Sequence, residues 1–276
     1  MAGPNDNQSV AELVALALTQ DPENQDYWDT VYLLQYRGTS EVFEIAKQLC
    51  RSDNARDREL GADLLGQGLV WDKNFPAEKV PILLQILATE EDPNVLSATI
   101  SALGRIGTPA RIGPLLRLVD HPDHEVRYHL AISLSQTEDA RAIEALISLS
   151  TDIDSHVRDW ATFGLGSQTD LDTPALREAL LARIADTDYT TRCEALAGLA
   201  KRRDERVLEP LVQELHNESL GLLVLEAASE LSDSRLCPAL LKLRAKWLGD
   251  EDSHAHALEE ALVSCRCISQ EAEYPS

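Results

Sequence analysis

Aromatic residues are scarce in this chain. Of 276 residues only 5% are Phe, Trp or Tyr, and there is a single methionine. The apolar content, 44% of the chain, is mostly Leu, Ala, Ile and Val, which suits closely packed helices. Positive charge is also short: 25 Lys and Arg stand against 47 Asp and Glu, for a net charge of −22. That balance excludes a nucleic-acid backbone as the main partner, because phosphate binding needs clustered Lys and Arg. It is compatible with a basic protein partner. No apolar run approaches the roughly 20 residues that cross a membrane. The opening "MAGPNDNQSV" shows no basic cluster followed by an apolar stretch, so no signal peptide is expected. The five cysteines, Cys50, Cys193, Cys237, Cys265 and Cys267, are odd in number and scattered. They predict no disulfide framework and a reducing, cytoplasmic setting.

What the chain does have is a repeat. "HEVRYHLAISL" from His124 and "SHVRDWATFGL" from Ser155 share a Val-Arg pair, two variable residues, and a run of small and apolar residues ending in Leu. Aligned on that closing Leu, the motif recurs at Leu34, Leu65, Leu103, Leu134, Leu165, Leu199, Leu231 and Leu262. The spacings are 31, 38, 31, 31, 34, 32 and 31, and the long interval contains "VWDKNFPAEK", which reads as a loop insertion. A second helical pattern precedes each motif, as in "KVPILLQIL" and "RVLEPLVQEL", with apolar residues at three- and four-residue steps. Thr108-Pro109 and Thr173-Pro174 read as an N-cap followed by a first helical residue. Pro22, Pro93 and Pro122 read as turn residues within a pair, whereas Pro81, Pro114 and Pro210 fall inside first helices and should kink them. Helix pairs this short must stack to bury a continuous core.

"DSHVRDWATFGLG" and "DYTTRCEALAGLA" resemble HEAT repeats, particularly the short bacterial type also found in phycobilin lyases. The resemblance spans nearly the whole chain. It implies an all-α fold, a curved α-solenoid of about eight HEAT-like helix pairs, with residues 1–268 as one domain and 269–276 as a loose tail. Within the motif, Arg58, Arg127, Arg158 and Arg192 flank the apolar stripe. Each is expected to pair with an acidic turn residue, such as Asp152 or Asp154 for Arg158.

In HEAT-like solenoids the second helices line the concave surface, so the variable motif positions are expected in or beside a groove. They supply Trp28, Asp29, Tyr32 and Tyr36 in the first repeat and Glu59 and Asp63 in the second, while the third offers mostly small residues. The fourth supplies Tyr128 and His129, the fifth Asp159, Trp160 and Phe163, and the sixth Glu194. Aromatics interleaved with mid-helix carboxylates suit the Lys and Arg side chains of a partner. These residues predict a non-catalytic scaffold or adaptor that binds a basic protein or peptide segment.

Deoxyhypusine hydroxylase, a HEAT-like enzyme, binds iron through His-Glu pairs at the third and fourth motif positions. Here those positions hold Trp28-Asp29, Glu59-Leu60, Tyr128-His129, Asp159-Trp160 and Cys193-Glu194, so that chemistry is excluded. The groups His121, His124, Glu125, His129 and His254, His256, Glu260 lack an established ligand spacing, and no metal or organic cofactor is expected. Nothing pairs a nucleophile with a base. The alternative of a different class is a phycobilin-lyase-like protein holding a tetrapyrrole in an aromatic-lined groove.

Overall fold

Turn after turn, a short polar side chain starts the next helix. Ser9, Thr39, Asp92, Asp154, Thr173 and Asp188 each accept hydrogen bonds from amides of the following helical turn. They satisfy donors that no intrahelical carbonyl can reach. Glu12 completes the arrangement at Ser9, its carboxylate accepting in return from the Ser9 amide. Gly38 and Gly107 end their helices in the left-handed region, at φ of 55° and 70°.

The computed structural model describes residues 7–66, 76–135, 137–217, 220–247 and 253–268. Among the described residues there are sixteen α-helices and no strand, the composition of an α-solenoid. In chain order they form eight pairs: α1 (Val10–Thr19) and α2 (Gln25–Arg37), α3 (Ser40–Leu49) and α4 (Ala55–Gly66), α5 (Pro76–Thr89) and α6 (Pro93–Ile106), α7 (Ile112–Leu115) and α8 (His124–Ser135). Then come α9 (Ala140–Leu149) and α10 (Ser155–Gly166), α11 (Pro174–Arg183) and α12 (Tyr189–Lys201), α13 (Leu208–Glu214) and α14 (Leu222–Leu231), α15 (Cys237–Lys246) and α16 (Ser253–Ser264). The chain divides into two compact units, Met1–Ala142 and Ile143–Ser276. In the first, α4 packs on α6 and α6 on α8; in the second, α10 packs on α12, α12 on α14 and α14 on α16.

All eight closing leucines are buried, as the repeat requires. Second helices approach closely where small residues meet. A Cβ on Gly66 would lie 2.5 Å from that of Ala102, and one on Gly198 would lie 2.5 Å from the Gly166 Cα. Pro114 breaks its first helix into a 3-10 turn (Pro109–Arg111), the single α-turn α7, and a second 3-10 turn (Leu116–Leu118), because it has no amide to donate. Pro81 stays inside α5. Pro93 is not a turn residue: it is the first residue of α6, behind the Asp92 cap. Most of the long loop and all of the expected tail from residue 269 lie outside the described residues.

The motif arginines do more than pair with a nearby acid. Arg58, Arg158 and Arg192 each donate from Nη1 to two carbonyls of the turn before their own helix. From the other edge each reaches a carboxylate one repeat on: Glu90, Asp186 and Glu214 respectively. The expected partners of Arg158 are thus corrected. Asp152 offers its backbone carbonyl, Asp154 caps α10, and the ion pair forms with Asp186. The Glu90 and Asp186 carboxylates are largely buried, so losing the arginine would strand a charge.

Two further arginines are buried outright. Arg202 donates to the carbonyls of Leu165, Gly166, Thr169, Leu171 and Gly198, where the negative ends of α10 and α12 gather. Arg111 donates only to Thr108 and Ser133 carbonyls, and its Nε has no partner.

The cysteines overturn one expectation. Cys237 and Cys267 form a disulfide, 30 residues apart, while Cys50, Cys193 and Cys265 are free and buried. The physical reason is the helix pair itself. Cys237 opens α15 and Cys267 follows α16, and an antiparallel hairpin brings its two ends together. A separation close to one repeat length was the readable signal.

Candidate functional site

Trp28, on the second helix of the first repeat, is fixed by its own turn. Its indole Nε1 donates to the Pro22 carbonyl at 2.9 Å, and its ring packs near Tyr27 and Tyr32. From α6, the Arg105 guanidinium lies over the same ring, 5.5 Å from its centroid. Trp28, Glu59, Asp63, Arg105 and His129 line one cavity of about 540 Å³ in the first unit, together with Ser97 and Ser101. A smaller cavity of about 190 Å³ shares Ser101, Arg105 and His129 and adds Tyr128 and Ser133.

The carboxylates here are largely occupied. Glu59 is bonded to Arg56 at 2.8 Å, and Arg56 also clamps the Ala17 and Gln20 carbonyls. Asp63 was expected to face the groove as an open acid, and this is corrected. It is only 3% exposed, and the fully buried Tyr27 hydroxyl donates to it at 2.6 Å. Burial pushes its carboxyl up to about 6. Burial also pulls the His129 imidazole down to about 4, helped by the Arg105 charge, and its Nδ1 pairs with the Ser101 hydroxyl at 2.8 Å. Asp29 is exposed and accepts from Gln25, while Tyr32 and Tyr36 are 46% and 66% exposed; none of the three lines either cavity.

In the second unit, α10, α12 and α14 carry Asp159, Glu194 and Glu226. Asp159 is half-buried, and its Oδ1 is enclosed without a hydrogen-bond partner. Its carboxyl is pushed up to about 6, by burial first and then by Asp188. Glu194, expected as an open groove acid, is buried and accepts from the Ser167 hydroxyl at 2.9 Å. Burial raises its pKa, and the charges of Asp159 and Glu226 add to that. Trp160 and Phe163 are half-buried and pack edge to face at 5.4 Å. A cavity of about 450 Å³ is lined by Glu226, Glu230 and Glu260, with Ser167 and Lys201, and does not include either ring.

The structure thus gathers Trp28, Glu59, Asp63 and His129 in the first unit, and sets Asp159 and Glu194 close enough to interact in the second. Reading the third repeat as mostly small residues agrees with Ser97 and Ser101 and missed Arg105. The signal for Arg105 was its place two residues after the closing Leu103, at the flank of the variable face. Among the described residues no group of three or more His, Cys, Asp or Glu is placed to hold a metal. No helix among them is long and apolar enough to cross a membrane.

Residues 80–166 match the family of HEAT repeats. Over 228 residues the chain is 29% identical to Protein YibA of Escherichia coli (strain K12), covering 79% of this chain and 80% of that one. The X-ray structure of the E. coli YibA superposes with a TM-score of 0.73 at 25% identity, over 93% of each chain. The crystal structure of an archaeal HEAT-like repeats protein from Thermococcus onnurineus NA1 gives a TM-score of 0.52 at 18% identity, covering 82% of this chain and 97% of that one, a likeness of fold alone.

Proposed function

Because the chain belongs to the HEAT-repeat family, we propose that it is a non-catalytic interaction protein whose second-helix faces hold a basic protein segment. The observation that carries this reading is Asp159. It is a partly buried carboxylate with one oxygen unpartnered, and the charges beside it on the same face, Glu194 and Glu226, are of its own sign. Among the described residues, arginines from Arg56 to Arg244 are engaged by carboxylates. A cation from outside would relieve this cluster. Trp28, Trp160, Phe163, Tyr32, Tyr36 and Tyr128 supply ring surface for the aliphatic stems of Lys and Arg. Asp29 and Glu59 add charge in the first unit.

The same proposal treats residues 1–268 as one repeat series serving one partner. It places the protein in the cytoplasm, on the ground of three free buried thiols. In that compartment a single intrachain bridge is one that forms and breaks with the redox state.

The test is to capture the partner from the native cell, then measure its binding to the purified chain at several salt concentrations. Association is fast at low salt and weakens as salt screens the face. Asp159→Asn combined with Glu194→Gln reduces binding while the melting behaviour shows an intact fold. A partner that binds this double variant as tightly as the parent removes the acidic face from consideration.

A further inference from the structure

Helix α16 is one wall of the second unit's cavity. It packs on α14 and α15, with Leu258, Ala261 and Leu262 buried. Its end meets α14 through the Cys265 thiol, 3.3 Å from the Ala228 carbonyl, and the Ser264 hydroxyl, 2.9 Å from that of Ser229. To the cavity α16 gives Ala257 and Glu260, and α14 gives Glu226 and Glu230. The charge there is three glutamates against Lys201, which is itself paired with Asp170 at 2.7 Å. The cavity adjoins the acidic face, because its Ser167 hydroxyl donates to Glu194.

The far end of α16 is held by a covalent bond. The Cys237–Cys267 bridge joins the first residue of α15 to the residue three past the end of α16. The turn it closes is strained. Arg266 sits in the left-handed region at φ 61°, where glycine is usual, so that the Cys267 amide reaches the Leu262 carbonyl. Both bridged cysteines are half-buried, which leaves them within reach of a small thiol. Cys265 does not compete with them: it is fully enclosed, and burial pushes its thiol up to about 11. A second tie between α15 and α16, the partly exposed Arg244–Glu259 ion pair, adds little.

We propose that the Cys237–Cys267 bridge is a redox latch on this cavity. Closed, it holds Glu260 beside Glu226 and Glu230; open, it loosens α16 and weakens the grip on a basic segment. This rests on the acidic-face reading above and adds its regulation. Opening takes two equivalents of a low-molecular-weight thiol. One thiolate attacks a bridge sulfur to form a mixed disulfide, and the second releases it. Cys237 and Cys267 together gain two electrons and two protons, and the reductant leaves as its own disulfide. Closing is the reverse, with that small disulfide as the oxidant.

Cys265 reports on the latch without any ligand. Thiol labelling, read by peptide mass spectrometry, is run on the full chain, both oxidised and reduced then freed of reductant, and on the Cys237→Ser/Cys267→Ser double variant. With the bridge closed, Cys265 should react as slowly as Cys50 and Cys193. With it open or absent, Cys265 should react roughly tenfold faster or more, and the other two should not change. Tetralysine is then titrated into both redox forms by calorimetry at low salt. The oxidised form should bind it roughly threefold tighter or more, and Glu260→Gln should weaken the oxidised form and abolish the difference. Cys265 labelling that ignores the bridge, equal acceleration at all three cysteines, or equal tetralysine affinity in the two forms would overturn the latch. Tetralysine that binds neither form would sink the acidic face and the gating with it, and the labelling would still decide whether the bridge holds α16.

Discussion

In the first unit the second helices bring Trp28, Arg105 and His129 to the wall of one cavity, with the Arg105 guanidinium over the Trp28 ring. In the second unit, helices of the same design bring Asp159 and Glu226 close enough to add to the rise that burial gives the Glu194 pKa. The frame is the same in both: a cap, a Val-Arg or its equivalent, small residues at the close approach, and a buried Leu. What differs is confined to positions the frame does not need. The lesson is that the repeat leaves its variable positions free to carry different charge in each unit. The same frame carries an arginine over a tryptophan in one unit and neighbouring carboxylates in the other.

The units also differ in how they are held together, and the largest expected effect probes this. Arg202 in the second unit donates to five backbone carbonyls, whereas Arg111 in the first donates to two and leaves Nε unpaired. Arg202→Met should cost roughly 4 kcal/mol, since it strands several buried acceptors at once. Arg111→Met should change stability by about 1 kcal/mol or less, because a buried cation without full compensation costs nearly what it contributes. Denaturant melts of both variants give the comparison. Equal losses would mean that the hydrogen-bond inventory does not decide the matter.

Next comes the disulfide, which ties only the second unit. For a closed loop of this length, reduction should remove roughly 3–4 kcal/mol from the structure that the bridge constrains. Hydrogen exchange with and without a reductant should show faster opening in α15 and α16 and no change in α2 and α4. Cys237→Ser should behave like the reduced protein. A uniform change across both units would show that the bridge does not act locally.

The frame was legible because it is periodic. Spacing alone located all eight buried leucines, and Thr108 and Thr173 were readable as caps. The site was less legible, for three physical reasons. A helical wheel assigns a direction but not a neighbour, so Asp63 faced the groove on paper while Tyr27 from another helix covered it. Attention to aromatic and acidic residues passed over Arg105, whose meaning depends on Trp28 lying 77 residues away in sequence. Counting cysteines hid the Cys237–Cys267 bridge, because an odd total says nothing about which two ends of a hairpin meet.

The aromatic anchors give the next effect in size. Trp28→Ala and Trp160→Ala should each weaken the captured partner by about 2 kcal/mol or more, whereas Glu91→Gln, an exposed turn change, should cost little. If both tryptophan variants bind the partner like the parent, the two faces are not where it docks.

The smallest effect discriminates most sharply, because its sign changes between stability and binding. The Asp159 carboxyl is raised from 3.8 to about 6, by burial first and then by Asp188, with His156 acting in the opposite sense. A carboxyl held above its unfolded value binds more protons in the native state between pH 4 and 6, so its contribution to stability falls as pH rises through that window. Below it both states are protonated and the penalty is absent; above it the penalty is complete. Asp159→Asn should therefore stabilise the protein near pH 7.5, by about 1 kcal/mol after allowing for solvent screening at a half-buried group. The gain should vanish near pH 4. Asp63 titrates in the same window, but it is common to parent and variant and cancels in the difference. The same substitution should weaken a basic partner, since it removes the charge that the partner relieves. Binding near pH 6 should also release protons from the parent and fewer from the variant, measurable by calorimetry in buffers of different ionisation enthalpy. An Asp159→Asn protein that is less stable at pH 7.5, or that releases protons on binding as the parent does, would show that this carboxylate is not waiting for a cation.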